Sequence, residues 1–410
     1  MNSKKTHWPS LLILLCLVIA ICFLLAVGMI MSISSLMDLA ADVGIPASGM
    51  IVAATCFFEV LILGVCCWLV LQRTLGNEKA LLSFKVPYSR LLVVLIIGVV
   101  AGAVIIGGVT AYSENNWLTW IILPVATLLV IVPPIVLVTG IGSKGLDPGP
   151  RWQFAAILGI GMTVAPFLMI GLEIAFFIMG IILLAVYISI FAPDVLNQLE
   201  SLITMLDAAP SEDVIINLLT PYLTNPLLIT AVLGYISVIV PLIEEAFKPL
   251  AVWLFASRIK TPVQGYVLGM VSGAAFALVE SLNASADGTT NWPFVVSVRA
   301  GTSLLHIAAS GMVGWGIVSA FREKKYGRFA GAYLSAVLIH GLWNACAVGT
   351  GLSFIGEIAG QEGWFIRYFP AMIGGMITLM VGMLLILVKT NRNLNTLQTH
   401  EKDEQVQLST

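Results

Sequence analysis

Four short stretches between residues 241 and 344 hold nearly all the side chains that could do chemistry. PLIEEAFKPLAVW carries Glu244, Glu245 and Lys248, and AAFALVES carries Phe276 and Glu280. RAGTSLLHIAASG carries Arg299 and His306, and LIHGLWNA carries His340 and Asn344. Each stretch lies inside an apolar run. An ionisable group at the centre of a membrane span costs roughly 2.5–3.5 kcal/mol on insertion. Carboxylates, imidazoles and an ammonium at similar depth must therefore be paired, hydrated or bound to an ion. Taken singly, each has an ordinary structural explanation, as Glu59 and Glu173 do elsewhere in the chain. Gathered in four adjacent spans, they point to acid–base or ion-binding chemistry within the membrane.

Helical spacing tests whether these groups can meet. Glu244 and Lys248 are four apart and share a face, so they can pair. Pro249 follows and should loosen the helix, because it lacks an N–H and clashes one turn back. Glu245 points about 100° away from Glu244. Arg299 and His306 are two turns apart on one face, and His340 and Asn344 are four apart and could reach one oxygen atom. Gly269, Gly273, Gly301, Gly311 and Gly341 flank these groups and permit close helix packing. Depth agrees as well. Glu244 lies 14 residues before Arg258, Glu280 18 after Pro262, His306 16 before Arg322 and His340 12 after Arg328. At 1.5 Å per residue these groups stand about 18–27 Å from the inner-face markers, in the middle to outer half of a bilayer. Glu244, Glu245, Glu280, His306 and His340 are expected to face one cavity.

The elements that must position them are membrane spans. Of the 410 residues 59% are hydrophobic and 10% charged, where a soluble domain carries about 25% charge. The fold class expected is all-α, a polytopic helix bundle of about ten spans. These fall near 11–33, 50–72, 91–112, 118–141, 154–192, 227–257, 263–284, 294–320, 329–350 and 369–389, each near the 20 or so residues a crossing needs. The segment 154–192, with Pro166 and Glu173, is too long for one straight crossing and reads as a kinked helix or a crossing plus a re-entrant piece. The apolar run after Lys4 and Lys5 is too long for a signal peptide core and reads as an uncleaved first span. The six cysteines all fall in apolar spans without a CxxC pair, which gives no disulfide framework and no cysteine metal site. The net charge of −2 gives no indication of nucleic-acid binding.

Orientation follows from Lys and Arg. With the N-terminus inside and ten crossings, 17 of the 20 basic residues fall in inner segments; Arg367 is outside and Lys248 and Arg299 lie within spans. The organisation expected is scaffold spans over 1–192, an outer amphipathic segment over 193–226, a four-span catalytic core over 227–350, a last span over 351–390 and a disordered cytosolic tail over 391–410. The outer segment holds Asp194, Glu200, Asp207, Glu212 and Asp213 and no Lys or Arg, with Val195, Leu199, Leu202, Ile203 and Leu206 at helical spacing.

Together the four stretches resemble the PrsW family of intramembrane proteases and the wider group of CAAX prenyl proteases and Abi-type membrane proteins. Glu244, Glu245 and Lys248 meet its EExxK motif, Phe276 and Glu280 an FxxxE motif where CAAX-type relatives usually have His. His306 meets the span with one His, and His340 and Asn344 meet HxxxN. The resemblance covers about residues 227–350 and implies hydrolysis of a peptide bond in a membrane-anchored protein within the bilayer, in a multi-pass protein of a bacterial cell membrane. It implies Glu244, Glu245, Lys248, Glu280, His306, His340 and Asn344 as site residues. Similar proteins are described as metalloproteases or as glutamate proteases, and both readings stay open. In the glutamate reading a Glu of the pair activates water, with His340 and Asn344 donating to the oxyanion. In the metal reading His306, His340 and a carboxylate such as Glu280 bind zinc, leaving a position for water. No HExxH is present, which tilts the residues slightly toward metal-independent chemistry.

Two other classes compete. An ion-coupled transporter also uses intramembrane Glu, Lys and His, but such proteins often carry inverted repeats, and no repeat is evident here. A non-catalytic scaffold could keep the pocket to bind a partner's transmembrane segment. The substrate expected of the protease is an anti-sigma factor or similar regulator, cut near the outer face. The charge bias predicts that both termini are cytosolic. Cysteine labelling at the two ends of intact cells checks this, and an externally labelled C-terminus would mean that the span count is wrong by one.

Overall fold

The computed structural model describes residues 8–84, 88–113, 115–191, 193–208, 212–223, 225–358 and 366–409. Lys4, Lys5 and Lys85 lie outside them, as do residues 209–211 and 224 of the outer segment. Among the described residues no strand forms, and a single isolated bridge pairs Ser83 with Pro150. The helices in chain order are α1 (Trp8–Ala41), α2 (Pro46–Thr74), α3 (Arg90–Ala111), α4 (Asn116–Ser143), α5 (Arg151–Met162), α6 (Val164–Phe191), α7 (Pro193–Asp207) and α8 (Glu212–Leu223). They continue as α9 (Pro226–Gly234), α10 (Val240–Phe247), α11 (Leu250–Phe255), α12 (Pro262–Ala284), α13 (Trp292–Glu323), α14 (Tyr326–Ile358) and α15 (Phe369–Ser409).

Among the described residues ten stretches are long and apolar enough to cross a membrane, and they match the ten expected spans one for one. The long fifth segment is helical on both sides of one break at Thr163, between α5 and α6. The cause lies three residues on: Pro166 offers no N–H to the Met162 carbonyl, and its ring crowds that turn. One expectation fails. The polar stretch after residue 390 was expected to be disordered, yet α15 continues through it. Its Asn391 Nδ2 donates to the carbonyls of Gly142 and Lys144 at 2.8 and 2.9 Å, and Asn395 Nδ2 donates to Lys144 O at 2.9 Å. These amides satisfy the orphan carbonyls at the end of α4, a tertiary gain that composition does not show.

The chain divides into two compact units, Met1–Pro166 with Glu245–Ala336 and Met380–Thr410, and Phe167–Glu244 with Val337–Leu379. In the first unit α12 and α13 are the core. Their most apolar stretches are 89% and 83% buried, against 17–39% for α1 to α4. They are also less apolar than α1 to α4, as enclosure by other helices allows. Helices α2, α4, α5 and α11 pack around α12, and α3, α4 and α11 around α13. Gly265, Gly269 and Gly273 line one side of α12 at four-residue spacing. They meet Gly314, Ser310 and His306 of α13, so that a methyl group on any of the three glycines would overlap the facing backbone carbonyl. This is the close small-residue crossing used where lipid supplies no hydrophobic drive for helix association. Trp292 Nε1, fully buried, donates to Thr127 Oγ1 of α4 at 2.9 Å, and Arg322 donates to the carbonyls of Ser257 and Ile259 at 2.7 and 2.8 Å, closing the end of α11.

In the second unit a π-helical turn, Tyr235–Ile239, joins α9 to α10. Tyr235 Oη donates to the Glu173 carbonyl of α6 at 2.6 Å, and Asn344 Nδ2 of α14 donates to the Ile236 carbonyl at 3.0 Å. Gly341 lets α14 reach the Ser237 carbonyl with no room for a side chain between. The amphipathic segment expected outside the membrane is two helices, α7 and α8, packed on one another; Leu202 and Leu206 are half-buried and Ile203 is exposed.

The glycine crossing sets the height of His306, so Gly273→Ala is expected to destabilise the first unit by about 1–3 kcal/mol through overpacking. Thermal unfolding in detergent checks this against Gly327→Ala, where nothing lies near the added methyl and no loss is expected.

Candidate active site

Pro249 breaks the sixth span, as its chemistry requires. α10 ends at Phe247, α11 starts at Leu250, and Lys248 and Pro249 form the turn between them. The break frees carbonyls, and side chains satisfy two of them: Trp253 Nε1 donates to Ala246 O at 3.1 Å, and the Ser272 hydroxyl of α12 donates to Lys248 O. Lys248 forms an ion pair with Glu245, three residues back, at 2.7 Å. Residues three apart share a helix face as residues four apart do.

From this pair a hydrogen-bonded chain runs through the first unit. The Lys248 ammonium donates to Glu245 Oε1 at 2.7 Å and to His306 Nδ1 at 2.8 Å. His306 Nε2 donates to Glu280 Oε2 at 2.6 Å, and Arg299 Nη1 donates to Glu280 Oε1 at 2.9 Å. The partners fix the tautomer: an ammonium on one side demands a lone pair at Nδ1, and a carboxylate on the other demands the proton at Nε2. Lys248, Glu245 and His306 are 0% exposed, so the chain depends on internal pairing alone at that end. Two carboxylates and two cations balance in formal charge, which is how a membrane interior tolerates them. Phe276 adds an aromatic face, its ring 4.8 Å from the Lys248 nitrogen and edge-on to His306 at 5.0 Å between centroids.

In the second unit His340 Nε2 lies 3.8 Å from Glu244 Oε2, both groups being buried. Asn344 does not act on the same oxygen as His340, as its spacing suggested; it donates to the π-helical carbonyl of Ile236. Its observed work is to hold α14 against the turn that leads into α10. Sequence reading set aside Glu59 and Glu173 as structural. Glu59 is 3% exposed and accepts from Asn283 Nδ2 of α12 at 3.3 Å. What that reading missed is the service role of Ser272 and the clamp by Arg299 on Glu280. The spacing of Arg299 and His306 by seven was the available signal for the clamp.

A metal places its own demands on these groups. With tetrahedral zinc bonds of about 2.0–2.2 Å, two donors stand about 3.3–3.6 Å apart, and an opened angle stretches this further. The 3.8 Å gap between Glu244 Oε2 and His340 Nε2 is too long for a direct hydrogen bond and short enough for an ion. His306 is also built as a ligand is built, one ring nitrogen held by a carboxylate and the other presented as a lone pair. Glu280 fits less well as a ligand than the sequence suggested, because its two oxygens hold His306 and Arg299. It stands behind the imidazole instead.

Residues 149–375, more than half of the chain, match the family model described as PrsW family intramembrane metalloprotease. The chain belongs to this family. No curated protein and no solved structure shows significant similarity to it. Membership makes the protein an intramembrane peptidase, a hydrolase that acts on proteins of the lipid bilayer. The PrsW match spans every residue of the hydrogen-bonded chain, as well as Glu244, His340 and Asn344. The family description also favours a metal, against the slight tilt that the absence of HExxH gave. With Glu280 orienting His306, Glu280→Gln is expected to weaken zinc binding about 10–100-fold while the fold persists. Equilibrium dialysis followed by metal analysis checks this, and an unchanged affinity would contradict the orienting role.

Proposed function

We propose that this PrsW-family protein cuts a membrane-anchored regulatory protein, such as an anti-sigma factor, at or just outside the outer boundary of its span. The observation that carries the reading is the hydrogen-bonded chain Glu245–Lys248–His306–Glu280, fully buried from Glu245 to His306, inside the family-matched region. So many ionisable groups are not retained at such depth for packing alone. The family motifs shared with CAAX prenyl and Abi-type proteins are part of the same reading. So are a bacterial cell membrane and termini on the cytosolic side.

Glu244 and Glu245 are the proposed carboxylate pair. One peptide bond joins them, which fixes their Cα atoms about 3.8 Å apart. One of the pair takes the proton of the attacking water as general base, work worth about 10²–10⁴-fold in rate. Lys248 fixes the position of the Glu245 carboxyl by a direct charge-assisted hydrogen bond. His340 would donate to the oxygen of the scissile carbonyl, and Asn344 steadies the turn leading into α10. Within the first unit, Glu245 and His306 are the donors proposed for a zinc ion. When bound it would supply Lewis-acid polarisation of the carbonyl and activation of water. Glu280 and Arg299 keep the imidazole of His306 in one tautomer and orientation.

The depth of these groups, about 18–27 Å from the inner-face markers, supports cleavage near the outer surface, where water has the shorter route. The acidic helices α7 and α8 precede the span that carries Glu244 and suit a lid or guide for the substrate on that side. Reconstituted with a membrane-anchored substrate, Glu244→Gln and Glu245→Gln are each expected to slow cleavage at least about a hundredfold while insertion and substrate capture persist. Mass spectrometry of the new termini tests the position: a cut on the cytosolic side of the substrate's span would overturn the depth argument. Unchanged turnover in both variants would overturn the assignment of the pair.

A further inference from the structure

The ammonium of Lys248 sits where a metal ion's ligands converge. It donates to a carboxylate oxygen, Glu245 Oε1 at 2.7 Å, and to an imidazole lone pair, His306 Nδ1 at 2.8 Å. These are the two donor types that zinc selects besides thiolate. The imidazole is oriented as in a carboxylate–histidine–metal arrangement, with Glu280 Oε2 at 2.6 Å from the far ring nitrogen. The face of Phe276, 4.8 Å from the nitrogen, adds an aromatic quadrupole of the kind that favours a cation. A lysine needs only one carboxylate to be buried as an ion pair, and Glu245 provides it. The second contact, to a histidine lone pair held in place by a clamped carboxylate, is surplus to that need.

We propose that the point held by Lys248 Nζ, between Glu245 Oε1 and His306 Nδ1, is a divalent-cation position that the lysine occupies in the metal-free protein. Lys248 is then a tethered cation that competes with the metal. It keeps the two donors charge-balanced and correctly turned while no ion is present, which removes the cost of stranding a buried carboxylate. Metal entry requires the ammonium to swing off His306. The ammonium moves on its own flexible four-carbon stem, from the turn between α10 and α11. The competition lowers apparent metal affinity by the fraction of molecules in which the lysine is seated. This inference rests on the metal reading given above and adds to it an occupant and a barrier.

The test is zinc binding by the full chain in detergent, wild type against Lys248→Met, read by equilibrium dialysis and metal analysis without any substrate. The methionine keeps the length of the side chain and removes the charge. The expected result is zinc bound about tenfold tighter or more by the variant. Equal or weaker binding by the variant overturns the competition while leaving the metal reading intact. No zinc on either protein overturns both. The wild type provides a second reading that needs no variant. Acylation of Lys248 by an amine-reactive reagent, followed by mass spectrometry, is expected to rise severalfold when zinc is added, as the displaced amine becomes accessible. Protection that is unchanged or stronger in zinc overturns the proposal.

Discussion

The burial of one ammonium group constrains the rest of the first unit. Lys248 Nζ, fully enclosed, is stable in a membrane only with a carboxylate at contact, and Glu245 at 2.7 Å is that carboxylate. Removing one partner of such a pair costs about 3–5 kcal/mol, because the other is left as an uncompensated buried charge. The requirement propagates. His306 takes the second ammonium proton, Glu280 must hold the far side of the ring, and Arg299 must balance Glu280. Each link needs its helix at one height and one rotation. The glycine row of α12 supplies both by letting α13 approach backbone to backbone at His306, Ser310 and Gly314.

The same logic explains why broken helices recur at the chemistry. Pro249 ends α10 and frees Lys248 from helical register, and side chains from Trp253 and Ser272 satisfy the carbonyls that the break exposes. In the second unit the π-helical turn at Tyr235–Ile239 presents the carbonyl that Asn344 grips. Irregular backbone at membrane depth survives only where protein covers it, and here specific donors do. A regular helix would have satisfied its own backbone and left Asn344 and Ser272 without these partners.

Much of this was legible in the sequence. Span count came from apolar run length, and the four polar stretches stood out against a background that is only 10% charged. Helical spacing correctly placed Arg299 and His306 on one face, where a single carboxylate, Glu280, joins them. Spacing rules assume an isolated, unbroken helix, and Asn344 went to a π-helical carbonyl that no periodicity foretells. The polar end of α15 looked disordered because its Asn391 and Asn395 find their acceptors more than 240 residues away, on Gly142 and Lys144. Gly265 and Gly314 were passed over because a glycine's partner across a helix pair is invisible until the register is known.

Lys248 and Glu245 form one energetic unit on which the hydrogen-bonded chain depends. A double-mutant cycle measures it directly, with unfolding free energies of wild type, Lys248→Met, Glu245→Gln and the double variant in one detergent. Lys248→Met is expected to cost about 3–5 kcal/mol and the double variant to recover most of it, a coupling well above the roughly 0.2–1 kcal/mol of exposed ion pairs. Additive losses, with a coupling near zero, would contradict it.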